Sequence, residues 1–150
     1  MEEKKQRILE AAMLCFERFG FRGTTIGSVA KTAGMSKSGI YDCFENKEAL
    51  LQEMVRGILA ELVEETERAV RADRPLRDDI ETTFDAVIAL RSRHRLLVGI
   101  YREARVFGTQ EVVDMRKTLE EGIVSYIEGL VRRHEERGEQ FRLPARVIAF

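Results

Sequence analysis

Residues 24–50, TTIGSVAKTAGMSKSGIYDCFENKEAL, hold the reading that decides the fold. Thr25 stands where a hydroxyl can N-cap the run 26–33, because its oxygen can accept from one of the four unpaired N–H groups that open any helix. Gly34 follows the run, and a residue without Cβ enters the left-handed conformation at little cost and stops the helix there. Ser36 is placed to cap a second run, 37–44. Two short helices joined by a Gly-containing turn of about three to four residues make a helix-turn-helix, whose second helix lies in a DNA major groove.

Isolated helices of this length are marginal in water, so the pair needs a third element. The stretch 3–19 supplies one, with Ile8, Ala12, Phe16 and Phe19 at helical spacing, Leu9 and Met13 alongside, and Gly20 as its end. A loop over 21–24 leads into the pair, where Ile26, Val29, Ala30, Ala33, Ile40 and Phe44 can face this first helix. Downstream, Asn46 is an N-cap with Glu48 in the first turn. The apolar series Leu50, Leu51, Met54, Val55, Ile58, Leu59, Leu62, Val63 carries a long fourth helix to about residue 72. The break 73–75 lets Asp73 or Arg74 cap and puts Pro75 first in a fifth helix over 75–91, with Leu76, Ile80, Phe84, Val87 and Ile88 inward. A sixth helix is expected over 95–106, ended by Gly108. A seventh is capped by Thr109 and buries Val112, Val113, Leu119, Ile123, Tyr126, Ile127, Leu130 and Val131. Past Gly138, Phe141 is read as core and another helix is expected from Ala145. Its apolar start at 147–150 has no continuation, so the chain is expected to be truncated.

The expectation is an all-α protein, with a three-helix head over 1–48 joined by the fourth helix to a helical body over 49–150. Composition agrees: two prolines, no Trp, and 34% charged residues suit helices with solvated faces. The formal net charge is −1, so bulk basicity does not point to nucleic acid. Locally, residues 22–47 carry Arg22, Lys31, Lys37 and Lys47 against Asp42 and Glu45, a surplus of two positive charges. Cys15 and Cys43 show no metal-ligand or disulfide spacing, no apolar run reaches ~18 residues, and a cytoplasmic setting without metal or cofactor is expected. No Gly-rich phosphate loop, nucleophile elbow or zinc-protease pattern is present, and the adjacent acids Asp78-Asp79 and Glu120-Glu121 read as solvated faces, so catalysis is not expected.

The ordered set Phe19-Gly20, Thr24-Thr25-Ile26, Val29-Ala30, Ala33-Gly34-Met35-Ser36, Ile40-Tyr41, Phe44 and Asn46-Lys47-Glu48-Ala49-Leu50 resembles the TetR family of bacterial transcriptional repressors over residues 8–51. The resemblance implies a DNA-binding head, a ligand-binding and dimerisation body, and further C-terminal helices that build the dimer. Lys37, Ser38 and Gly39 open the recognition helix and are the expected base contacts; a lysine can donate to guanine O6 and N7. Thr24, Thr25, Ser36, Tyr41 and Lys47 are the expected phosphate contacts, Lys47 by its likeness to a family lysine, and Arg22 is a further DNA candidate. Asp42 and Cys43 depart from the family pattern and should weaken the phosphate grip.

In the body, His94, Tyr101, Arg102, Arg105 and Tyr126 are the polar and aromatic candidates for a ligand pocket, with Leu62, Phe84, Ile88, Leu97, Ile100, Phe107 and Ile123 as apolar ones that lean towards a hydrophobic effector. Arg91, Arg93 and Arg95 read as an exposed turn, and His134 as part of an exposed charged helix end. The expected partners are a palindromic double-stranded DNA operator, a small-molecule effector and a second copy of the chain, with no membrane. Competing readings are a helical protein-interaction module and a DNA-binding regulator without a ligand.

Overall fold

A computed structural model describes residues 2–70 and 74–138. The expected cap Asp73, the core residue Phe141 and the helix from Ala145 lie outside these. The described residues form seven helices and no strand: α1 Glu2–Gly23, α2 Ile26–Ala33, α3 Lys37–Tyr41, α4 Lys47–Ala69, α5 Leu76–Arg93, α6 Arg95–Phe107 and α7 Gln110–Glu135. None is long and apolar enough to cross a membrane.

The helix ends follow the cap chemistry. Thr25 Oγ1 accepts from Ser28 N at 3.1 Å while Ser28 Oγ accepts from Thr25 N at 3.0 Å, a reciprocal capping box. Gly34, at φ 64°, closes α2 in a Schellman arrangement, with Met35 N donating to Ala30 O at 2.9 Å. Asn46 Oδ1 accepts from Ala49 N at 2.8 Å and starts α4. Pro75 occupies the cap position rather than the first turn, so α5 starts at Leu76, one residue after the expected start. Helix α3 is five residues, against the eight expected, and chain reversal begins at Asp42. Thr109 makes no side-chain cap on α7.

Packing joins what the sequence suggested as two parts. Helix α1 packs on α2 and also on α6, while α4 packs on α5 and α7. One core cluster runs from Ile8, Phe16, Val29 and Ile40 through Leu50, Val55 and Leu62 to Ile100, Val112 and Leu119. Each such side chain contributes about 1.5–3 kcal/mol on burial, and this offsets the weak intrinsic stability of α2 and α3. A smaller cluster of Leu76, Ile80 and Leu130 ties α5 to α7.

Gly20 overturns one core assignment. Its φ of 72° and ψ of 176° break α1, and a last helical turn runs on to Gly23 in a new direction. Phe19 is thereby left exposed, and Phe21 turns inward to stack on Phe16 at 5.8 Å between ring centroids. Ile88 and Phe107 also lie outside, contrary to expectation. Beside the small cluster, Asp79 and His134 are buried, at 0% and 1% exposure, with His134 Nε2 3.0 Å from Asp79 Oδ2. The sequence alone reads both as solvated. Charged neighbours in the sequence hid a pair whose partners are 55 residues apart.

Candidate nucleic-acid interface

Helices α2 and α3 present their polar starts outward. Lys37 and Ser38 are exposed and Gly39 is half-buried. Ser36 Oγ accepts from Gly39 N at 3.1 Å and lies 2.9 Å from Ser38 Oγ, so the two hydroxyls are held together at the mouth of α3. A Cβ on Gly27 would stand 3.0 Å from Lys37 Cε and 3.5 Å from its Nζ. The lysine stem therefore lies across the first turn of α2, next to Thr25. Glycine at 27 permits that approach, so Thr25, Ser36, Lys37 and Ser38 form one exposed polar surface. Tyr41 adds a side chain that is 55% exposed.

Three expected contacts are placed otherwise. Thr24 is 1% exposed, and its hydroxyl donates to Gly20 O at 2.7 Å, so it closes the α1 break and has no free face for a phosphate. Lys47, half-buried, donates from Nζ to Phe21 O at 2.9 Å and Thr24 O at 3.4 Å, above the Phe21 ring at 4.2 Å. It braces the α1–α2 junction. Arg22 lies with its guanidinium 4.8 Å from the centroid of Phe107 on α6, turned to the body. Asp42, expected to repel phosphate, pairs with Lys4 Nζ at 2.8 Å, and that contact also holds the Lys4 pKa above its ordinary value.

The residue missed by sequence reading is Glu103. It sits on the buried face of α6, and its carboxylate accepts from Phe21 N at 2.8 Å and Arg22 N at 2.9 Å. These are the donors freed by the break at Gly20, so Glu103 acts as a cap supplied from another helix. Lys47 holds the carbonyls of Phe21 and Thr24 at the same junction. The only signal in the sequence was an acid among the apolar residues of the α6 inner face, Leu96, Leu97 and Ile100.

Among the described residues, the expected pocket set is divided between the core, the surface and one open groove. Leu62, Leu97 and Ile100 are solid core, and Phe84 and Ile123 pack half-buried. His94 Nε2 lies 2.8 Å from Glu61 Oε2, and Tyr126 donates its hydroxyl to Glu67 Oε1 at 2.8 Å. Of the twelve side chains named for the pocket, Tyr101, Arg102 and Arg105 line an open groove of about 700 Å³ bounded by α5, α6 and α7. No group of three or more His, Cys, Asp or Glu that could hold a metal ion occurs among the described residues.

Comparison with known proteins agrees with this geometry. Residues 8–54 match the family model for bacterial regulatory proteins of the tetR family. The HTH-type transcriptional regulator YhgD of Bacillus subtilis is 33% identical over 129 residues, covering 86% of this chain and 68% of YhgD. RutR of Escherichia coli K12 is 45% identical over 56 residues, which span 37% of this chain and 26% of RutR. Among solved structures, FadR of B. subtilis in complex with stearoyl-CoA superposes with a TM-score of 0.73 at 19% identity, over 95% of this chain and 77% of that one, a likeness of fold. With α2 and α3 exposing their starts and burying Val29, Ala30 and Ile40 in the core, the chain belongs to the TetR family: it is a DNA-binding transcription regulator and not an enzyme.

Proposed function

We propose that this regulator is a repressor that binds a short palindromic operator as a two-fold dimer and is released by a small effector. In this reading residues 1–48 meet DNA and residues 49–150 serve ligand binding and dimerisation. Lys37, Ser38 and Gly39 take the base edges, and Thr25, Ser36 and Tyr41 take phosphates. The observation that carries it is the exposed, hydroxyl-capped start of α3 with Lys37 laid beside it. The N-terminal residues of a recognition helix are the ones that reach bases.

Release needs a physical link between body and head. Glu103 supplies a candidate beyond the continuous helix α4, because it fastens α6 to the residues that lead into α2. An effector that shifts α6 would loosen or turn that junction. It can do so only to the extent that it binds the released state more tightly, and couplings of this kind are typically about 1–3 kcal/mol. FadR, which shares the fold, is seen with stearoyl-CoA, and this supports looking for a small-molecule effector.

The test is a gel shift of duplex fragments selected from genomic DNA, repeated as salt is raised. The reading expects two-fold symmetric protected sites and affinity that falls steeply with salt. Asymmetric single half-sites at saturation would remove the dimer. Binding indifferent to every metabolite in a screened library would favour a regulator without a ligand.

A further inference from the structure

A groove of about 700 Å³ opens between α5, α6 and α7, and its size falls within the ~300–1,000 Å³ typical of ligand sites. Its charge is one-sided. Arg91 from α5, Arg102 and Arg105 from α6, and Arg116 from α7 all line it. The spacing explains why. With Leu96, Leu97, Ile100 and Glu103 buried, the opposite stripe of α6 carries residues 98, 101, 102, 105 and 106 into the opening.

Internal compensation is partial. Arg116 pairs with Glu120 at 2.7 Å, and Arg91 lies 5.8 Å over the ring of Tyr101. Arg102 and Arg105 have neither an ion pair nor a hydrogen bond among the described residues. Glu120 also faces Tyr101, whose hydroxyl is held above its ordinary pKa first by burial and then by that carboxylate. Concentrating four guanidinium groups in one concavity costs repulsion that a chain of net charge −1 had no need to incur. The walls between them are apolar: Val98 and Val106 are 48% and 63% exposed.

We propose that this groove binds an amphipathic anion, a carboxylate or phosphate head held by Arg102 and Arg105 with a short apolar part against Val98 and Val106. Guanidinium forks match both head groups in bidentate fashion, which selects anions over neutral apolar molecules. The inference rests on the ligand-controlled reading above and sharpens it. Arg102 is adjacent in sequence to Glu103, so a head group drawing on Arg102 acts on the helix that holds the α1–α2 junction.

Titration calorimetry of the chain with decyl phosphate, decanoate, decanol and inorganic phosphate tests it, all below micelle-forming concentrations and without DNA. At least one of the two amphipathic anions should bind about tenfold or more tightly than decanol and than inorganic phosphate, and the better of the two identifies the head group. The double variant Arg102→Gln/Arg105→Gln should lose about tenfold or more, whereas Arg77→Gln, on an exposed turn of α5 paired with Glu81, should lose nothing. Equal binding of decanol, or unchanged affinity in the double variant, overturns the proposal, as does inorganic phosphate binding as well as decyl phosphate. Adding the better anion to the protein–DNA complex then separates the two readings: binding without release leaves the groove in place and removes effector-driven release.

Discussion

Replacing Glu103 by alanine takes away the acceptor for two backbone N–H groups, Phe21 at 2.8 Å and Arg22 at 2.9 Å, at a site where the carboxylate is 7% exposed. Hydrogen bonds to a charged partner contribute about 1.5–3 kcal/mol each, and two that share one carboxylate fall short of twice that. We expect Glu103→Ala to lose about 3 kcal/mol, and Glu103→Gln about half as much, since an amide oxygen can satisfy one donor but its NH₂ opposes the other. Urea unfolding followed by far-ultraviolet circular dichroism measures both. A double-mutant cycle with Gly20→Ala sharpens the reasoning. That substitution strains a backbone at φ 72° and ψ 176°, at about 1–3 kcal/mol, and brings a Cβ to 2.8 Å from Glu103 Oε2. With the carboxylate gone the clash disappears, so the double variant should lose less than the two single losses combined. Strict additivity, or a Glu103→Ala loss under about 0.5 kcal/mol, would refute the idea that α6 clamps this junction.

Lys47→Met keeps the stem but removes the donors to Phe21 O and Thr24 O; it should cost about 1.5 kcal/mol in urea unfolding and weaken binding to all DNA sequences alike. Its effect on the slope of log affinity against log salt should be well under the ~0.9 unit of a phosphate contact, and a full unit would return Lys47 to the DNA. His134→Ala removes the partner of the buried Asp79 Oδ2, beside an Oδ1 that has no hydrogen-bond partner among the described residues, and should cost about 3–5 kcal/mol. Thermal unfolding at fixed pH checks this, and a loss below 1 kcal/mol would mean that solvent reaches the pair. Gly27→Ala should leave stability nearly unchanged yet push Lys37 off α2, and base preference measured by competition gel shift should change with it.

The helices were legible because their signals are local. Thr25, Gly34, Ser36 and Asn46 each act within four residues of their own position, and all four caps occur where the spacing put them. The exposed start of α3 was legible for the same reason, since it is fixed by its own cap. What sequence missed was action at a distance. Glu103 reaches donors 81 and 82 residues away, and those donors exist only because Gly20 breaks α1. That break also exchanged Phe19 for Phe21 in the core and drew Thr24 and Lys47 out of the expected phosphate set. Asp79 and His134 looked solvated because their neighbours are charged, and helical periodicity says nothing about which partner stands opposite. Of the residues expected at a pocket, Tyr101, Arg102 and Arg105 line the groove, whereas Leu62 and Ile100 are core, because apolar residues at helical spacing fill a core as readily as they line a cavity.

The direct test of DNA reading by the start of α3 is selection of binding sites from a random duplex library by the unaltered chain and by Lys37→Ala. The proposed arrangement predicts a palindrome whose half-sites lie about 34–36 Å apart or somewhat more, with one base position per half-site relaxed in the variant by about 1–3 kcal/mol. An identical site from both proteins, or affinity lost equally at every position, would contradict it.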